Sequence, residues 1–223
     1  MITDNPDVLD LLEIRILAVL AEKEALTPDS YPLSLNGIVN GCNQLSSRDP
    51  VMALTDSGVQ DVLDRLTQKK LVAEVSQAGA RVLKYEHRLR LKWTLEQDKL
   101  AVLVTLMLRG EQTVAEIRAR SERLHGFASV EQAETSLQFL IDKYPPLVAR
   151  LARAPGTKEP RYAHLLSGQD SLAQIETAQA FGAASRVENS GGRLALLEAE
   201  VAALREAVET ITLQFAAFKK QFE

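Results

Sequence analysis

The feature that most constrains this chain is a set of short strings used twice. Leu71-Val72-Ala73 recurs as Leu147-Val148-Ala149, and Tyr85-x-His87-x-Leu89 recurs as Tyr162-x-His164-x-Leu166. The offsets are 76 and 77 residues. Matched strings in the same order at nearly one spacing mark an internal duplication. Whatever unit the first copy builds, the second builds again.

The first copy is read from residues 55–89. Val59, Val62, Leu63 and Leu66 fall at i, i+3, i+4 and i+7, one face of a helix. Ser57 with Gln60 forms a capping-box pair that places the helix start near residue 58. Lys69 and Lys70 close it, where the negative end of the helix dipole favours cations. Leu71, Ala73 and Val75 then alternate with Val72, Glu74 and Ser76. After Ala78-Gly79-Ala80, one parity carries Leu83, Tyr85, His87 and Leu89, predicted to face inward. Alternation around a glycine turn predicts a half-buried hairpin. Upstream, Leu9, Leu12, Ile16, Val19 and Leu20 predict one apolar face of a helix over roughly residues 8–25. Ser34 caps a second helix that turns Leu35, Ile38, Val39 and Cys42 inward, with Cys42 as a small core residue. Three helices followed by a hairpin make a winged helix, residues 8–91.

The second copy runs over residues 92–167. Thr94 with Gln97, Thr113 with Glu116 and Ser129 with Gln132 are spaced as capping boxes for its three helices. The first of these helices contains KLAVLVTLMLR, apolar nearly all round, so it is expected to be largely buried, with Gly110 as its C-terminal cap. Residues 168–192 lack strong periodicity and read as a flexible linker. From residue 193 to 223 the periodicity is heptad. Leu194, Val201, Val208, Phe215 and Phe222 repeat every seven residues, and Leu197, Leu204, Ile211 and Phe218 follow at an offset of three. This seam predicts dimerisation through a coiled coil, with folding back onto the rest of the chain or pairing with another protein as the alternatives. The expected class is therefore mainly α with small β-hairpins (α+β): two tandem winged-helix domains plus a C-terminal coiled-coil helix.

Charge bears on the partner. Residues 1–91 hold ten Lys/Arg against thirteen Asp/Glu, residues 92–166 eleven against nine, and residues 167–223 five against eight. Nucleic-acid binding domains are usually strongly basic, because phosphate neutralisation supplies most of the affinity. Only the middle segment leans that way. No apolar run reaches the ~18 residues of a membrane span, and the acidic N-terminus MITDNPDVLD does not read as a secretory signal. A cytoplasmic protein without membrane contact is expected. One cysteine excludes an intramolecular disulfide and a multi-cysteine zinc site.

No Walker loop, dinucleotide fingerprint, nucleophile elbow or zinc spacing is present. His87 and His164 hold equivalent inward positions, the pattern of packed, hydrogen-bonded residues rather than ligands. No enzyme activity and no cofactor is expected. Two partners remain candidates. The first is double-stranded DNA, read by the third helix and the wing. In the first domain the contacts would come from Ser57, Gln60 and Arg65 on the helix and from Arg81, Lys84 and Arg88 on the wing. In the second they would come from Arg150, Arg153, Lys158 and Arg161. Asp61 and Asp64 on the first helix, with Glu131 and Glu134 on the second, oppose phosphate. The second candidate is a protein, with the winged helices and the coil acting as a scaffold that docks a cytoplasmic complex. Asn43, Gln44, Ser46, Ser47 and Arg48 form a distinctive polar loop, either satisfying backbone groups between helices or contacting a partner, with Arg48 the candidate for nucleic acid.

The strings TPDSYPLSLNGIVNGCNQ, RDPVMAL, ALTDSGVQDVLDRL, VLKYEHR, MLRGEQTVAEIRARSERLHGF and VARLARAPGTKEPRYAHL resemble the YceH-type family of uncharacterised bacterial proteins. The resemblance covers about residues 9–167 and extends to a coiled-coil tail in the same place. It implies two winged-helix domains in tandem and no established activity. The family loop usually reads Cys-Asn-Gln-Lys, whereas Leu45 follows Gln44 here. That removes a cation and weakens a phosphate-contact role for the loop.

Overall fold

The structure is a computed structural model, which describes residues 8–76, 82–152 and 159–168. The fold is mainly helical with two small antiparallel sheets, as the apolar periodicity predicts. Helix α1 spans Leu11–Leu26, followed by a 3-10 turn at Pro28–Ser30. Strand β1 (Leu33–Ser34) leads into α2 (Leu35–Cys42), and α3 covers Asp56–Gln68. Strands β2 (Val72–Val75) and β3 (Lys84–His87) complete the first half. A short helix α4 (Leu89–Trp93) leads to α5 (Gln97–Arg109), α6 (Val114–Ser121) and α7 (Val130–Asp142), then to β4 (Val148–Arg150) and β5 (Tyr162–His164).

The element order and the pairing both repeat. In the first half the sheet order is β1-β3-β2, with Leu33 opposite Tyr85 and Val72 opposite His87. In the second half β4 pairs with β5, and Val148 faces His164. The partner of β1 is reduced there to a single bridge, Gln112 opposite Tyr162. Tyr85 and Tyr162, the matched tyrosines of the sequence, thus hold the same place in both sheets.

Local chemistry explains the boundaries. Asp10 caps α1 and forms a reciprocal box with Glu13. Ser34 caps α2, Thr113 with Glu116 boxes α6, and Ser129 caps α7. Two predicted caps are displaced. Thr55, not Ser57, caps α3, accepting from the Gly58 N–H, so the helix begins two residues earlier than expected. Thr94 does not open α5. It terminates α4 in the left-handed region at φ 49°, and Glu96 stands at the start of α5 without a side-chain cap. The Gln97 side chain is drawn away by Arg90 and by the Leu124 carbonyl. The hairpin parity also needs one change: Tyr85, His87 and Leu89 are buried as expected, Leu89 from the first turn of α4, but Leu83 is exposed.

The described residues lie within one compact unit. A single cluster of buried apolar residues runs through both halves, because α1 packs on α5 as well as on α2 and α3. Ten successive residues of α1, Glu13 to Glu22, are buried, so the one-faced helix expected from its spacing is buried all round. Each fully buried leucine or isoleucine here contributes about 1.5–3 kcal/mol. Gly41 lets α2 approach α1: a Cβ there would lie 2.5 Å from Val19 Cγ1, and Val19 is fully buried. Gly41→Ala is therefore expected to overpack the contact and lose about 1–3 kcal/mol in urea unfolding, despite alanine's better helix propensity.

Candidate interaction faces and the buried polar loop

The helices predicted to meet a partner are α3 and α7. The exposed face of α3 carries Asp56, Ser57, Asp61, Asp64, Gln68 and one cation, Arg65. The exposed face of α7 carries Glu131, Glu134, Thr135, Gln138, Phe139 and Asp142, with Val130 at its start. Both faces are acidic. The side chains proposed for base reading on α3 already have partners. Gln60 donates to Asp64 at 2.8 Å and accepts from the buried Tyr85 hydroxyl at 3.1 Å. Arg65 donates to Asp10 at 2.7 Å, and its Nε lies 3.6 Å from Glu13. Lys69 joins the same cluster through Glu13 at 2.8 Å and the Val8 carbonyl. Arg65 and the capping Lys69 therefore tie the end of α3 to the start of α1. Ser57 is exposed, with its hydroxyl 3.3 Å from that of Thr55.

Arg48 is placed differently from expectation. It is buried, and each guanidinium nitrogen is bound inside the protein. Nε donates to the Gly41 carbonyl at 3.0 Å. One terminal nitrogen donates to Glu22 at 3.1 Å and to the Ser47 carbonyl at 3.0 Å. The other donates to Glu22 and to Gln44, each at 2.6 Å. All five N–H groups of an arginine are thus used, and none is left for a phosphate. Asn43 clamps the other end of the loop, donating to the Leu54 carbonyl at 2.9 Å and accepting its N–H at 2.7 Å. The polar run 43–48 satisfies backbone and side-chain groups between helices, while Leu45 at its crest is 84% exposed.

The two hairpins and their flanks hold the remaining predicted cations. Lys84 is half-buried on β3, and Arg88 and Arg150 are exposed. Arg161 is held by Glu116 at 3.3 Å and by the Glu111 carbonyl. Arg81, Arg153, Lys158 and the whole heptad seam from Leu194 to Phe222 lie outside the described residues.

Sequence reasoning missed Arg15 and Glu22, two charges within the buried run of α1. Arg15 is 1% exposed and donates to the carbonyls of Pro50 at 2.8 Å and Cys42 at 3.4 Å. Burial, then Arg48, lowers its pKa. The signal available was a charge set between Ile14 and Ile16. Burial pushes the Cys42 thiol up to about 12, which makes it inert. No group of His, Cys, Asp and Glu suited to a metal ion occurs among the described residues, and no helix among them is long and apolar enough to cross a membrane.

A family model described as "Protein of unknown function, DUF480" matches residues 9–157. The chain belongs to this family. It is 60% identical over 225 residues to a UPF0502 protein of Janthinobacterium sp. (strain Marseille), covering 100% of this chain and 95% of the relative. A UPF0502 protein of Herminiimonas arsenicoxydans is 61% identical over 214 residues, covering 96% and 90%. A more distant relative, from Geobacter sulfurreducens, is 44% identical over 216 residues, covering 96% and 98%. The DUF480 match takes in the buried loop, α3, α7 and β4, and ends before β5.

Two outcomes follow for this DUF480 chain. Arg48→Met takes the two-pronged partner from the buried Glu22 carboxylate and leaves it only Lys23 at 3.4 Å, so a loss of about 3 kcal/mol is expected in denaturant unfolding, partly restored by adding Glu22→Gln. The second concerns His164, whose Nδ1 is buried without a hydrogen-bond partner and whose pKa burial pushes down to about 4 from 6.5. A lowered histidine pKa means the unfolded chain takes up the proton first as pH falls. Stability is then complete above about pH 6.5 and declines towards pH 4, by on the order of 2–3 kcal/mol. Unfolding midpoints of His164→Phe measured across this window should decline less steeply.

Proposed function

We propose that this protein is a non-enzymatic docking module: two winged helices in tandem whose third helices bind protein, with the C-terminal heptad segment pairing two chains. The twice-repeated order of three helices and a hairpin, with the short strand β1 of the first half answered by the single bridge at Gln112 in the second, supports the winged-helix reading. The observation that carries the function is the charge on α3 and α7. A helix entering the major groove meets a wall of phosphates, and here both candidate helices present carboxylates. The arginine and glutamine that would read bases on α3 are held by Asp10, Asp64 and Tyr85 instead. Acidic faces of this kind suit a basic protein surface.

Binding of double-stranded DNA is the second reading. It is favoured by Arg88 and Arg150, exposed beside the two hairpins, and it makes the protein a transcription-regulator-like dimer. One experiment separates the two readings. Full-length protein, with its dimer mass checked by light scattering, is titrated with labelled random duplex at a series of salt concentrations. The docking reading expects negligible retention even in dilute buffer. Retention with a log–log salt slope of about −0.9 per phosphate contact would instead establish DNA as the partner. In parallel, nuclease-treated capture from the native lysate is run with wild type and with Asp61→Lys/Asp64→Lys. The docking reading expects a stoichiometric protein that the double variant loses.

A further inference from the structure

A cleft of about 660 Å³ opens at the junction of α4, the end of α7 and the end of β5. Its lining is mostly apolar, with Val8, Trp93, Tyr144, Pro146, Leu147 and Leu165 among its walls. Lys143 also lines it, its Nζ 5.5 Å from the centroid of the Phe139 ring. Lys92, in the same lining, already has an interaction of its own. No carboxylate is among the described lining residues. Apolar walls left open to water carry a free-energy cost that a covering side chain removes.

The course of the chain decides which cover is nearest. Gly168 is the last of the described residues, and it is itself part of the lining. It lies against Val8: a Cβ built there would be 3.6 Å from Val8 Cγ1. The chain thus leaves the described fold at the wall of the cleft, and residues 169–223 follow. The first eight read Gln169-Asp170-Ser171-Leu172-Ala173-Gln174-Ile175-Glu176. Leu172 and Ile175 stand three apart, the spacing of one helical face. Asp170 and Glu176 supply the charge that the lining lacks, opposite in sign to Lys143. At full extension Leu172 reaches about 14 Å from Gly168 and Ile175 about 25 Å, so both are within range of the cleft. The other end of the chain also starts at the wall, before Val8, but residues 1–7 carry long apolar side chains only at Met1 and Ile2, farthest from it. A segment tethered this closely has an effective concentration in the millimolar range, which a separate molecule must exceed.

We propose that this cleft is the docking site of the chain's own segment 169–176, with Leu172 and Ile175 seated against Trp93 and Leu147 and the flanking acids facing Lys143. The cleft is then an anchor for the start of the C-terminal extension. This assignment does not rest on the docking function of α3 and α7, and its test reads the cleft alone.

Trp93 is the only tryptophan in the chain, so its emission reports on the cleft directly. Full-length protein is compared with full-length Leu172→Asp/Ile175→Asp. In the variant the emission should move to longer wavelength, and quenching by acrylamide should rise about twofold, as water replaces two apolar side chains at the ring. Disulfide trapping gives a second reading on protein with the segment's apolar pair otherwise intact. Cys42 is buried, so the introduced thiols are the ones that react. Pro146→Cys, on the wall, is combined in turn with Ser171→Cys, Leu172→Cys, Gln174→Cys and Ile175→Cys. Under mild oxidation the pairs with Leu172→Cys and Ile175→Cys should close within one chain about tenfold faster than the other two, because a disulfide demands a narrow geometry. Unchanged Trp93 emission and quenching in the double variant would overturn the proposal. So would closure of no pair, or closure of all four at one rate, which marks a tether that passes the cleft without docking. A disulfide that joins two chains, seen as a doubled mass on a denaturing gel, would overturn it in favour of a second copy.

Discussion

Burial of α1 on every side is the constraint on which the rest depends. A helix at the surface of a small domain needs one apolar stripe. Helix α1 instead meets α2 and α3 on its own half, β3 behind them, and α5 of the other half. Its ten-residue buried run contains Glu13, Arg15 and Glu22 as well as apolar residues. Three charges in that position must each be answered from outside the helix. Glu13 is answered by Lys69 and by the cap at Asp10. Glu22 is answered by Arg48, and Arg15 by the carbonyls of Cys42 at the end of α2 and of Pro50 in the 43–55 connection. The path of that connection is therefore fixed by electrostatics as much as by packing. A buried ion pair does not by itself add much stability, but losing one partner is costly, which makes such pairs better at specifying a path than at strengthening it.

This arrangement also explains why the loop looked like an interaction element. A polar run between two helices, rich in Asn, Gln, Ser and Arg, reads equally well as a contact surface or as an internal clamp. The distinction lies in where its hydrogen bonds go, and that depends on Glu22, which is 26 residues away in sequence. No local pattern carries that information. The partner was nonetheless visible in outline. Ile14-Arg15-Ile16 and Ala21-Glu22 set charges inside an apolar segment, which is unusual unless something pairs with them.

Much else was legible. The helical periods of α2, α3, α5 and α7 and the duplicated hairpin strings lead directly to the observed elements, because period and side-chain direction are local properties. The displaced caps show the limit. Thr55 and Ser57 both precede the apolar spacing, which faces inward with either as cap, so the spacing could not choose between them; Thr55 accepts from the Gly58 N–H. Thr94 and Gln97 have the spacing of a box, but tertiary partners Arg90 and Leu124 took the glutamine. The all-round apolar character was recognised in α5 and reduced to one face in α1, although Ile16 to Ala21 contains no polar residue at all. Two such helices in one chain point to each other, since each needs more cover than its own half provides.

The two copies have diverged in what their matched residues do. His87 accepts the Leu89 N–H on Nδ1, which leaves Nε2 to carry the proton towards Glu24 at 3.1 Å. That hydrogen bond is the leading cause of the lowered Glu24 pKa. Glu24 also accepts from Arg90, and Arg90 reaches Gln97 on α5. A polar chain thus crosses from α1 through the first hairpin and α4 into the second half. His164 sits at the same place in the second hairpin, but no carboxylate among the described residues bonds to it, and its Nδ1 is enclosed without a hydrogen-bond partner there. Duplication supplied the same residue twice, and only the copy next to the junction acquired a counter-charge. The junction, not the repeat, is therefore where polar interactions have been added, and it is also where α4 places Trp93 and the strained Thr94. A chain built only to display two independent modules would have no need of such a seam. Its presence argues that the relative placement of the halves is part of what the molecule presents to a partner.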